Sequence, residues 1–259
     1  MPIKNILAIA SGKGGVGKST TAVNLAFALS QTGARTGILD ADIYGPSIPL
    51  MLGIHHRPEV TEQKKIHPIV AHGIQSMSIG YLVDEKTPMA WRGPMVSAAL
   101  QQLLNDTLWD ELDYLIIDLP PGTGDIQLTL AQKIPVTAAI IVTTPQDLAL
   151  LDARRAYEMF RKVNVPVIGI IENMSVHICS QCGHAESIFG EGGGKKMEAQ
   201  YAIPLLGQLP LDIHIREQAD TGKPDAKHYH DIAQKIITEL TALEKTDKTT
   251  FPKIVIQND

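Results

Sequence analysis

The run Gly12-Lys13-Gly14-Gly15-Val16-Gly17-Lys18-Ser19 constrains this chain more than any other stretch. A glycine, four residues, then Gly-Lys-Ser is the pattern of a loop that cradles phosphates, and its flanks strengthen the match. Residues 5–11 read as a continuous apolar strand. Residues 18–31 read as a helix, with Val23, Phe27 and Ser30 on one side and Gly33 as its C-terminal stop. Glycines let backbone N–H groups close around phosphate oxygens, and the helix aims its positive end at the same anion. Gly12, Gly14, Gly15, Val16, Gly17 and Thr20 are therefore expected to line a nucleotide's phosphates. Lys18 is expected to reach the β- and γ-phosphates and Ser19 to ligate Mg2+. A glycine turn that binds nothing accounts for neither Lys18-Ser19 nor the strand and helix on either side.

Strand and helix alternate along the rest of the chain. Further strands are expected at 35–41, 114–119, 136–143, 165–171 and 205–209. Helices are expected at 95–105, 125–132, 146–162, 195–200 and 228–244. A hairpin at 66–70 and 74–79 turns around His72-Gly73. Residues 43–62, with Pro46, Pro49 and Pro58, read as loop, and 174–194 as irregular. This alternation predicts an α/β P-loop NTPase fold, a mostly parallel sheet with helices on both faces. One domain is expected over 1–245, with a cysteine-loop insertion at about 174–194 and a polar tail at 246–259.

Composition narrows the partners. Apolar residues make up 44% of the chain and charged residues 20%, an ordinary globular balance. A net charge of −5 has the wrong sign for coating nucleic acid, and 5% aromatics leave little for base stacking. No apolar run approaches the ~20 residues of a membrane helix. A glycine loop stands where a signal peptide would carry its cleavage region, so a cytoplasmic location is expected.

Phosphoryl transfer needs a held metal and a placed water. Asp118 ends the apolar run Leu115-Ile116-Ile117 and is expected to hold Mg2+ through water. Asp40 and Asp42 end another strand at the same sheet edge, where open α/β sheets bind ligands. Asp42 is assigned to orient the attacking water and Asp40 to support the metal. After Asp118, Gly122-Thr123-Gly124-Asp125 reads both as a γ-phosphate-sensing segment and as a tight turn with Asp125 capping the next helix. Asn173, at a strand end, offers the donor and acceptor that adenine requires, and the guanine-selecting Asn-Lys-x-Asp pattern is absent. ATP is therefore expected.

The only cysteines are Cys179 and Cys182, followed by Gly183. Two thiolates at this spacing grip a metal centre but fill only part of its coordination. His177 and His184 flank them at a spacing short of the usual zinc-finger arrangement. A thioredoxin-like redox pair would open a helix, which Gly183 opposes. Two pairs across a two-fold axis supply four thiolates, enough for either [4Fe–4S] or zinc.

Together these residues resemble the Mrp/ApbC family of P-loop iron–sulfur carrier ATPases. The resemblance runs from Ile6 to about His230 and is carried by residues 13–19, Asp40-Ala41-Asp42-Ile43-Tyr44-Gly45-Pro46-Ser47, Trp91-Arg92-Gly93-Pro94-Met95, 118–125, Asn173-Met174-Ser175 and the cysteine loop. It implies a homodimer in which Lys13, the early lysine of a deviant Walker A loop, reaches the partner's nucleotide. It implies a cluster bridged by Cys179 and Cys182 of both chains, received from a donor or scaffold and passed to apo-proteins, with ATP hydrolysis coupled to transfer. Many bacterial members carry a small N-terminal domain before the phosphate loop, which begins here at Gly12. Two rivals share the loop: a MinD-like spatial regulator, needing a basic amphipathic C-terminal helix, and a ParA-like partition ATPase, needing a basic DNA-binding face. A dimer stapled by zinc with no carrier role is a third. Neither nucleic acid nor membrane is an expected partner.

Overall fold

The computed structural model of the chain describes residues 3–83 and 93–249. Trp91-Arg92 and the tail 250–259 lie outside the described residues. In chain order the elements are β1 (Ile3–Ala10), α1 (Lys18–Gln31), β2 (Thr36–Asp40), α2 (Ile48–Met51), β3 (Ile69–Ala71), β4 (Ile74–Ser78), α3 (Gly93–Asp106), β5 (Leu112–Asp118) and α4 (Asp125–Lys133). They continue as β6 (Ala138–Thr143), α5 (Asp147–Lys162), β7 (Val167–Glu172), β8 (His177–Ile178), β9 (Ala185–Glu186), α6 (Gly193–Tyr201), β10 (Leu205–Gln208), α7 (Ile213–Asp220) and α8 (His230–Thr249).

Eight strands form one sheet in the order β10-β7-β6-β1-β5-β2-β4-β3. All pairings are parallel except β3 with β4, the hairpin expected around His72-Gly73. Burial on both faces explains why the central strands are apolar runs rather than alternating patterns. From Ile6 to Ala10 every residue of β1 is buried, as is all of β2 and β6. Parallel register brings the strand ends level: Asp40 pairs with Asp118, and Thr143 with Glu172. The sequence therefore delivers its strand-end carboxylates to one edge of the sheet. Between β1 and its neighbours β5 and β6 the strand order reverses, which opens the crevice where such sheets take ligands.

Four differences from the sequence reading are local. Residues 48–51 form a short helix with proline in its first turn, where a missing N–H costs nothing. The cysteine segment contains a two-stranded antiparallel ribbon, β8 with β9. Helix α7 was not anticipated, and α8 runs through Thr249, past the expected boundary at 245.

Candidate functional site

The phosphate loop connects β1 to α1 in the crevice. Two of its glycines are fixed by crowding, and one of them by backbone conformation as well. A Cβ on Gly12 would stand 2.1 Å from the backbone carbon and oxygen of Asp152 in α5. Gly17 has φ +80°, and a Cβ there would stand 2.2 Å from the Asn173 amide nitrogen. Gly14, Gly15, Gly17, Lys18, Ser19, Thr20 and Asp42 line a cleft of about 250 Å³, which Ser47, Met51 and Pro121 help to close. Gly12 and Val16 hold the loop from behind, Val16 being buried. Lys13 is partly exposed in the loop.

Lys18 donates to Asp118 Oδ1 at 2.6 Å and to Ser19 Oγ at 3.2 Å. Lysine and aspartate are 6% and 0% exposed, so this ion pair is largely withdrawn from water at the floor of the cleft. Burial nevertheless holds the Asp118 carboxyl above its ordinary range, against the pull of Lys18 and of a hydrogen bond from Ser19. Asp118 Oδ2 is buried with no hydrogen-bond partner. An unsatisfied carboxylate oxygen buried behind the Lys18 and Ser19 side chains that line the phosphate cleft completes a donor set that suits Mg2+ and its waters.

Asp40 is wholly buried. Its Oδ1 accepts from the Asp42 N–H at 3.1 Å, and its Oδ2 accepts from the Ile48 N–H at 3.2 Å and the Ser78 hydroxyl at 3.0 Å. Even so, burial first and the neighbouring Asp118 second push its carboxyl up to about 7. Asp40 thus shapes the turn that presents Asp42 to the cleft. Asp42 itself accepts from the Gly45 N–H at 3.3 Å.

Past Asp118 the chain turns at Gly122, whose N–H donates to the Ser11 carbonyl at 3.0 Å. Gln127 steadies this turn by donating to the Pro121 carbonyl at 2.6 Å. Asp125 is the first residue of α4, while Gly124 occupies the cap position expected for it.

Asn173 sits behind the phosphate loop. Its Nδ2 donates to the Val16 carbonyl at 2.9 Å, and its Oδ1 accepts from the Met174 N–H at 2.9 Å. Both ends of the amide proposed for adenine are engaged with backbone, and what the side chain holds is the loop.

The cysteine segment projects from the end of β7. Its tip is a tight turn: the Gly183 N–H donates to the Cys179 carbonyl, and the Cys179 N–H to the His184 carbonyl, each at 2.9 Å. Gly183 takes φ +72°. Backbone N–H groups of Cys182 and Gln181 point at the Cys179 sulfur and hold its thiol below the usual cysteine range. Cys182 is exposed. His177 directs Nδ1 at the Leu211 carbonyl at 3.2 Å. Among the described residues no group of three or more His, Cys, Asp or Glu is placed to hold a metal ion.

Glu172 escaped the sequence reading. It is 1% exposed, with Oε2 accepting from the Gly194 N–H at 2.5 Å and Oε1 from the Gln208 amide at 2.6 Å. Its signal was there: a carboxylate closing an apolar strand, as Asp40 and Asp118 do.

The sheet, the loop and the buried Lys18–Asp118 pair define a P-loop NTPase. A family described as ParA: NUBPL iron-transfer P-loop NTPase matches residues 2–243, and the chain belongs to that family. An iron-sulfur cluster carrier protein of Pseudomonas fragi is 66% identical over 226 residues, which is 86% of this chain and 79% of that protein. The Escherichia coli K12 protein of the same description is 62% identical over 223 residues, 86% of this chain and 60% of that protein. A solved structure of a nucleotide-binding protein from Archaeoglobus fulgidus in complex with ADP superposes with a TM-score of 0.76 at 35% identity, covering 89% of this chain and 88% of that one.

Proposed function

We propose that this chain is a cytoplasmic ATPase that carries an iron–sulfur cluster between two copies of itself and releases it to apo-proteins. The cluster is cargo, bound by Cys179 and Cys182 of each copy. One observation carries the reading: a phosphate cleft and a hydrogen-bonded cysteine turn share one chain, yet among the described residues that turn offers two sulfurs and belongs to no group of three or more His, Cys, Asp or Glu placed to hold a metal. A second copy completes the set with four thiolates.

At the nucleotide, Lys18 leaves Asp118 for the β- and γ-phosphates, and the loop N–H groups hold the phosphate oxygens. Mg2+, held by Ser19 and through water by Asp118 with Asp40 behind, would neutralise charge on the β- and γ-oxygens. Asp42 orients the attacking water. Lys13 from the partner copy adds positive charge at the transferring phosphoryl group, as an arginine finger does. Asn173 fixes the loop against the strand end, and its remaining capacity is offered to the adenine edge. Residues 174–194 act as the cargo-holding insertion within the ATPase domain.

Anaerobic reconstitution with iron and sulfide tests this, with metal content, absorbance and oligomer mass read on one sample. The expected result is a dimer holding one [4Fe–4S] cluster, lost in Cys179→Ala and Cys182→Ala while nucleotide binding persists. Zinc bound stoichiometrically in place of iron would identify a stapled dimer. A monomer retaining a cluster would overturn the proposal.

A further inference from the structure

Residues 172 and 173 are consecutive at the end of β7, and they grip different parts of the molecule. Asn173 holds the phosphate loop through the Val16 carbonyl. Glu172 holds the far stem of the cysteine segment, where the Gly194 N–H at the start of α6 donates to its Oε2. The near stem is tied at the same strand end: the Ser175 N–H donates to the Leu209 carbonyl at 2.9 Å, and the Leu209 N–H to the Glu172 carbonyl at 2.9 Å. Both ends of the segment therefore return to one strand terminus, which also touches the loop that receives phosphate.

Packing does little to fix the segment elsewhere. A cavity of about 600 Å³, lined by Glu172, Ser175, Ser187, Glu191, Lys195 and Gln208, separates it from the sheet edge. Its position is set by its stems and by Leu211, whose N–H donates to the Val176 carbonyl at 2.8 Å and whose carbonyl faces His177 Nδ1 at 3.2 Å. The far stem packs closely on the carboxylate and on two leucines: a Cβ on Gly193 would come within 3.0 Å of Glu172 Oε2 and 2.9 Å of Leu150 Cδ1, and one on Gly194 within 3.4 Å of Oε2 and 2.6 Å of Leu205 Cδ1. Hydrogen bonds to a buried carboxylate are the stronger kind, and their removal leaves donors unpaired.

We propose that Glu172 is a positioning residue that transmits the state of the phosphate loop to the cysteines. A loop filled with phosphate shifts Val16 and, with it, Asn173. The β7 end moves as a unit, and Glu172 carries that displacement to Gly194 and the far stem. The role rests on reading Cys179 and Cys182 as the cargo ligands, but its geometry requires only that nucleotide and cysteines occupy these two places.

The test reads the thiols without any cluster. Reduced full-length chain is alkylated with iodoacetamide, with and without saturating Mg-ATP, and the rates at Cys179 and Cys182 are followed by mass spectrometry. In the wild type, Mg-ATP is expected to change the rate at one or both cysteines by at least about fivefold, the low end of ordinary site-to-site coupling. In Glu172→Ala the ratio falls to about one, with ATP affinity within about threefold of wild type. Glu172→Gln, which can still accept from Gly194, restores most of the ratio. A wild-type ratio that survives in Glu172→Ala, or a wild type whose thiols ignore Mg-ATP, overturns the proposal. Failure of cluster reconstitution alone would leave these ratios intact and would refute only the carrier reading.

Discussion

Replacing Asp40 by asparagine should make the nucleotide-free chain more stable, and increasingly so as pH rises. The carboxyl is wholly buried, and its value is pushed from 3.8 to about 7, by burial first and by Asp118 second. The folded state thus holds this proton more tightly than the unfolded state does. Stability falls as pH climbs from the unfolded value to the folded one, and it levels off above about pH 7. Roughly three pKa units correspond to about 4 kcal/mol. Asparagine can still accept from Ile48 and Ser78 with its oxygen, but its amide then faces the Asp42 N–H. That lost bond costs about 1 kcal/mol. The net expectation is near-equal stability around pH 4.5 and an advantage of about 3 kcal/mol for Asp40→Asn at pH 8. Urea unfolding of both proteins, metal-free and nucleotide-free, across this range measures it. An advantage that does not grow with pH, or a variant less stable at pH 8, would refute the reasoning. ATP turnover in the variant should fall, the usual exchange where a strained charge serves chemistry.

Lys18→Ala should abolish ATP binding and also destabilise the empty protein. It leaves Asp118 buried beside Asp40 without its cation, which raises the Asp118 value further, so the loss should approach about 3–5 kcal/mol at pH 8 and shrink toward pH 5. Urea titrations at the two pH values decide this, and a loss independent of pH would contradict it. Gly12→Ala should cost about 1–3 kcal/mol and weaken ATP binding, because its Cβ meets the backbone of α5. Gly14→Ala, whose Cβ approaches nothing nearer than Pro121 at 4.0 Å, should leave thermal stability unchanged. Equal melting temperatures for the two alanine variants would sink that comparison.

What the sequence disclosed, and what it hid, follows from how each residue interacts. Helix α1 matched its expected bounds because phosphate-loop spacing marks its start and Gly33, at φ +88°, marks its end. The central strands were legible because two-sided burial leaves an unbroken apolar run. Helix α7 was not, since none of its residues is buried and Ile213 is 59% exposed. It forms on local signals instead, the Asp212 side chain accepting from the His214 N–H at 2.9 Å. Asp40, Asp42 and Asp118 could be placed at the crevice from strand ends alone. That Asp40 lies wholly buried under Ser78 and Ile48 depends on contacts across 38 and 8 positions, which no local pattern encodes. Asn173 illustrates the same limit: its type suggested a base-reading amide, and only the meeting of β7 with a loop 157 positions away shows it bracing Val16.

The cysteine ribbon stands off the sheet on two anchored legs, with a void beneath it. Covalent change at its tip therefore reaches the framework that binds phosphate only as movement of those legs. Air oxidation joining the two thiols would spoil a flap and spare the scaffold, and reduction would restore the carrier without refolding it.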